Sequence, residues 1–205
     1  MRPALDRRAL LALAASALAG PALASPAAGE RLARAARAQV GVTTHYDGAY
    51  RKLAYPGGDP PRDTGVCADV IVRAGRDGLG LDLQQLVHED MSRAFKAYPQ
   101  AWKLPGPDAN IDHRRVMNLE VFFQRAGTQL WKAKGFVPGF AFPGELAPGD
   151  ILTWKLLGQG PHVGMVVEAG AHPRIVQNIG SGAENIPLAM MWPHQARARF
   201  RWPAA

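Results

Sequence analysis

The stretch Leu146-Ala147-Pro148-Gly149-Asp150-Ile151-Leu152-Thr153-Trp154, followed after a Gly-rich turn by His162-Val163-Gly164-Met165-Val166-Val167, decides the fold class of this chain. Both segments are short, rich in branched and aromatic residues and bounded by Pro and Gly, which reads as antiparallel strands. The same texture begins at Leu130-Trp131 and continues through residues 174–179 and 197–202. N-terminal to it the period changes. In residues 67–77, Val70, Ile71 and Ala74 recur at helical spacing, with Thr64 or Gly65 as N-cap. Leu86, Val87, Met91 and Phe95 stripe a helix over residues 83–98, capped by Asp82 and stopped by Pro99. Val116, Leu119, Phe122 and Phe123 mark another, closed by Gly127, and residues 30–40 form a further helix ended by Gly41. Helices first and strands second predict an α+β domain, its helices covering one face of an antiparallel sheet.

At 205 residues, with 47% hydrophobic and 20% charged, the chain suffices for one domain with a substantial core. Its first segment reads differently. Arg2, Arg7 and Arg8 precede an apolar run from Ala9 to Gly20, then Pro21 and Ala22-Leu23-Ala24, the pattern of a signal peptide over residues 1–24. The run is about a dozen residues, short of the roughly twenty that span a bilayer, so no transmembrane anchor is expected. A single domain over residues 25–205, exported to the periplasm by the general secretory or the twin-arginine route, is the resulting expectation. Removing three arginines and Asp6 leaves +5 of the formal +7 charge. No helix-turn-helix, zinc-finger spacing or aromatic RNA-binding motif accompanies that charge, which excludes nucleic acid and fits an anionic cell-wall partner. The oligomeric state has no sequence signature.

A lone thiol, Cys67, in an exported protein calls for an explanation. It is either a small apolar filler or a nucleophile in the first turn of a helix, where free N–H groups and the helix dipole favour the thiolate. A nucleophile needs a base, and the base needs a third group to fix its tautomer. His162 opens a strand with Gly164 leaving room beside it. The next strand brings Gln177 or Asn178 near the imidazole, on opposite faces, so one of them is the orienter; Asn178 is favoured. His45, His88, His172 and His194 read as polar surface. Asp112-His113-Arg114-Arg115 concentrates charge ahead of a helix, either to fork onto a ligand carboxylate or as a cap with an internal ion-pair network. Asp63 and Asp69 flank Cys67 and steady its loop or cap its helix. Paired cysteines, His-Glu-x-x-His, phosphate loops and dinucleotide fingerprints are missing, so neither a metal nor a cofactor is expected.

The combination of a helix-start Cys67, Pro148-Gly149-Asp150 opening a strand and His162-Val163-Gly164 opening the next resembles the NlpC-type cell-wall cysteine peptidases of the papain-like superfamily. Tyr55-Pro56-Gly57-Gly58-Asp59, Gly65-Val66-Cys67-Ala68-Asp69-Val70, Val87-His88-Glu89-Asp90-Met91, Ile111-Asp112-His113-Arg114-Arg115-Val116 and Asn178-Ile179-Gly180 are similar to a bacterial family of unknown function usually grouped with it. The likeness spans roughly Ala38 to Trp202. It implies a papain-like core with Cys67 as nucleophile, His162 as base and Asn178 as third member, cleaving an amide bond in peptidoglycan stem peptides. Val66-Cys67-Ala68 stands where that family has Asp-Cys-Ser, and an enlarged segment over about residues 80–145 carries Asp112 to Arg115. A papain-like acyltransferase and a non-catalytic wall-binding module on the same fold are the alternatives.

Overall fold

A computed structural model describes residues 25–204; the expected signal peptide over residues 1–24 lies outside them. The first helix, α1 (Pro26–Arg37), begins four residues earlier than its apolar pattern, because Ser25 accepts from the Ala28 N–H and Pro26 occupies the first turn. Two short parallel strands follow, β1 (His45–Tyr46) and β2 (Thr64–Gly65). They bracket the Gly/Pro-rich loop and deliver the chain to α2 (Cys67–Leu79). Then come α3 (Leu83–Ala94), capped by the Asp82 side chain, and α4 (Val116–Arg125). A single 3-10 turn at Asp112–Arg114 precedes α4.

The remaining strands are β3 (Gln129–Lys132), β4 (Ile151–Lys155), β5 (Pro161–Glu168), β6 (Arg174–Gln177), β7 (Glu184–Pro187) and β8 (Gln195–Phe200). They form one antiparallel sheet in the order β3-β8-β4-β5-β6-β7. The architecture is α+β, as the order of periods predicts. Alternation along the central strands sorts the core into two layers. Ile151, Val163, Met165, Val167, Val176 and Phe200 pack under α1, α2 and α4. Leu152, Trp154, Val166, Ile175 and Ala196 pack on the other face against Phe142, Leu188 and Met191 from loops.

Alpha1 is fastened to the sheet by close backbone approach. Gly149, in the turn before β4, has φ +86°, and a Cβ there would fall within 2.6 Å of the Gly29 Cα in α1. A Cβ on Gly29 would in turn collide with the Pro148 carbonyl. Only glycine serves at either position.

Candidate active site

Cys67 is the first residue of α2, but the expected cap does not form. The N-cap residue is Val66, which offers no side-chain oxygen. Asp69 makes the return half of a capping box instead: its Oδ2 accepts from the Val66 N–H at 2.6 Å. The same carboxylate receives Arg114 Nε at 3.0 Å and Nη2 at 2.9 Å, an ion pair almost wholly buried. Arg114 also donates to the carbonyl oxygens of Asp47 and Ala49. Asp69 therefore steadies the helix start, and Arg114 binds the protein, not a ligand. Asp63 does not take part through its side chain. Its carboxylate is exposed and its backbone carbonyl accepts from Thr44 and His45.

Strand β5 lies inside the sheet order, and His162 is buried near its start. The pairing of β5 to β6 stops at Gly164↔Gln177, however, which frees one side of Pro161–Val163. Cys67 Sγ occupies that gap, facing the Val163 backbone N–H. His162 is the next residue. Directly across β4 from it stands Trp154, whose ring lies 5.9 Å from the imidazole and walls it off.

The register also decides between the two proposed orienters. Gln177 pairs with Gly164, two residues from His162 and on the same face. A Cβ at Gly164 would press on the Gln177 Cβ at 3.2 Å, so the glycine makes room for this side chain beside the imidazole. Nε2 of His162 and Oε1 of Gln177 are both buried without a conventional hydrogen bond. The pair falls short of full hydrogen-bond geometry, yet Gln177 still pulls the imidazole pKa upward. Asn178 is committed elsewhere: its Nδ2 donates to the Gly65 carbonyl at 3.0 Å and its Oδ1 accepts from the Gly180 N–H. It ties the end of β6 to the residue pair preceding Cys67, a positioning role, and does not orient the imidazole.

The electrostatics of the resting site differ from the activated thiolate that a helix start leads one to expect. Burial pushes the Cys67 thiol up to about 11, and the Asp69 charge adds to it, outweighing the N–H groups of Val163, Ala68 and Cys67 that favour the thiolate. Burial likewise pushes His162 down to about 4. No hydrogen bond joins the two groups: the neutral thiol faces the Val163 N–H, and the neutral imidazole lies against Trp154 on the other face of the sheet.

Cys67 opens onto a cleft of about 270 Å³ whose walls include Tyr46, Trp102, Arg114, Arg115, Val116 and Pro161. Arg115 stacks 4.2 Å over the Trp102 ring and donates to Asp112 Oδ1 at 3.0 Å. Asp112 does not cap α4, whose N-cap is Arg115. It gathers the Asp108 N–H, Arg115 and Asn118, a local knot holding the cleft wall. His113 is buried beside Asp69 and Arg114, and burial lowers it to about 4. The sequence reading did not single out Trp102 or Tyr46; the first is an isolated aromatic in a loop and the second lies in a two-residue strand, and neither carries a periodic signal. Arg73 was also missed. It is a buried cation that binds Asp59 through Nε and also holds Thr43 and the Thr64 carbonyl, locking the long loop against α2. Among the described residues no group of three or more His, Cys, Asp or Glu side chains forms a metal site, and no helix is long and apolar enough to cross a membrane.

The profile of a family described as "Domain of unknown function (DUF1287)" matches residues 33–202. "Uncharacterized protein YijF" of Escherichia coli (strain K12) is 43% identical over 172 residues, covering 82% of this chain and 80% of that protein. The matched span runs from within α1 through the cleft, Cys67, His162 and Gln177 to the residues just after β8, and on that extent the chain belongs to the DUF1287 family.

Proposed function

We propose that the chain is a cysteine-dependent amidase or peptidase with an NlpC-like, papain-type arrangement, exported and acting on peptidoglycan stem peptides. The observation that carries this reading is a thiol at a helix start, open to a cleft and set against the free side of β5 at Val163, the residue after a buried His162 that shares its face with Gln177. The resemblance of Pro148-Gly149-Asp150 and His162-Val163-Gly164 to that peptidase family supplies the reaction class.

Cys67 Sγ attacks the amide carbon while its proton passes to the imidazole of His162, which must swing from the Trp154 face of the sheet toward the cleft for this step. The negative oxygen that forms is held by the Cys67 backbone N–H; the Val66 N–H is engaged by Asp69 and contributes nothing. The imidazolium then protonates the leaving amine, the C–N bond breaks, and water activated by the same imidazole cleaves the thioester, restoring the thiol. Gln177 Oε1 accepts from the ring once it is charged. Arg115, held flat by Trp102, faces the cleft with donors left over from Asp112 and suits a substrate carboxylate.

The test is mass spectrometry of muropeptides incubated with the full chain and with Cys67→Ser. Cleavage products that fall by about a thousandfold or more in the variant support the reading. A second reading, a wall-binding module whose cysteine is packing, is favoured by the protonated thiol and its lack of a hydrogen bond to His162. Intact muropeptides, retained equally by both proteins, establish that reading in place of the first.

A further inference from the structure

One end of the sheet carries an apolar surface that the cleft does not use. Three loops meet there: residues 133–144 after β3, the β4–β5 turn at residues 156–160, and residues 188–194 before β8. They are laced together. Pro138 bridges to Gln195, Ala196 donates to the Val137 carbonyl, Trp154 Nε1 donates to the Gly139 carbonyl, and Leu157 donates to His194 Nδ1. Their backbones are thus held, and their large side chains point outward: Phe136 is 72% exposed, Leu157 73% and Trp192 68%, with Phe140 and Met190 also exposed. Exposed apolar side chains clustered on a fixed backbone mark an interaction surface more strongly than scattered ones do.

Charge identifies its chemistry. Residues 128–144, 154–161 and 188–195 contain no carboxylate, while Lys132, Lys134 and Lys155 stand exposed around the apolar residues. A second copy meeting this face across a two-fold axis would set lysine against lysine. We propose that this end of the sheet docks on an anionic lipid bilayer, with Phe136, Leu157 and Trp192 entering the headgroup region and the lysines pairing with lipid phosphates. Aromatic and aliphatic side chains flanked by lysines are the composition that binds at such interfaces. Docking would set Pro161, at the cleft wall, close to the membrane surface. The proposal is independent of what Cys67 does.

Co-sedimentation of the full chain with phosphatidylcholine vesicles, with and without one part in four of phosphatidylglycerol, tests it. Binding that requires phosphatidylglycerol is expected. The triple substitution Phe136→Ser, Leu157→Ser, Trp192→Ser weakens it at least about tenfold, as does Lys132→Gln, Lys134→Gln, Lys155→Gln. All six side chains are exposed, and thermal melts matching the parent show the fold kept. Equal binding by parent and variants overturns the proposal, since the residues before Ser25 or another surface then carry it. So does equal binding to neutral vesicles, no binding at all, or a concentration-dependent dimer lost in the apolar variant.

Discussion

Asp69 and Arg114 are buried as deeply as Cys67 and His162, yet the two pairs are treated in opposite ways. The ion pair is charged and saturated: the carboxylate receives Arg114 and the Val66 N–H, and the guanidinium spends its remaining donors on Asp47 and Ala49 carbonyls. Asp150 repeats this at the start of β4, between Arg199, Arg201 and the Ala147 N–H. The thiol and imidazole are instead held neutral, with Nε2 of His162 and Oε1 of Gln177 left without full partners. Buried charge is tolerated in this fold where every donor and acceptor is used. Unpartnered polar atoms remain at His162 and Gln177, as they do at Gln39, His88, His113 and Thr153.

Removing one side of the saturated pair should have the largest effect on stability. Arg114→Leu strands the Asp69 carboxylate and should cost about 3–5 kcal/mol in urea unfolding, while Asp69→Leu together with Arg114→Leu should cost less than that single change. A loss under about 1 kcal/mol for Arg114→Leu would break the contrast. The neutral pair should show itself through pH. A histidine whose folded pKa is lowered to about 4 adds nothing above the unfolded value near 6.5; as pH falls through that window the unfolded chain takes the proton first, and stability drops. His162 and His113 should each contribute about 3 kcal/mol of that loss by pH 4. His162→Gln should remove its share of the slope, and an unchanged profile would show the imidazole already charged.

The smallest effects separate the two amides. Asn178→Ala leaves the Gly65 carbonyl and Gly180 N–H without their partner and should cost about 1–3 kcal/mol of stability. Gln177→Leu should stay within about 1 kcal/mol of the parent in stability while lowering turnover by about tenfold. Reversed outcomes would return the orienting role to Asn178.

That assignment marks where sequence reading stops. Periodicity alone located α2, α3 and α4, whose apolar residues join the core on one face of the sheet, and the central strands, whose apolar residues fill a core layer on each face. It also showed that Gln177 and Asn178 lie on opposite faces. Which face His162 takes depends on pairing register, and the Gly164↔Gln177 match has no local signal. Beta7, with Glu184 and Asn185, was missed because it is a short edge strand with no fully buried residue, and its sequence therefore carries no apolar alternation. The start of α2 was misread for a related reason. Asp69 caps from inside the helix, and the arginine that neutralises it is 45 residues away. The expectation of a lowered thiol pKa weighed the helix dipole and had no means of weighing burial.

The back-to-back glycines, Gly29 in α1 and Gly149 before β4, bear on how the molecule is assembled in time. The first helix leaves the ribosome early and packs mainly on α2, but the part of its surface that meets the sheet is received only when the β4–β5 hairpin exists. Closing so long a loop is entropically costly and slow, so docking of α1 on the sheet must wait for the C-terminal half of the chain. Until then α1 has α2 as its partner and lacks the sheet that completes its burial.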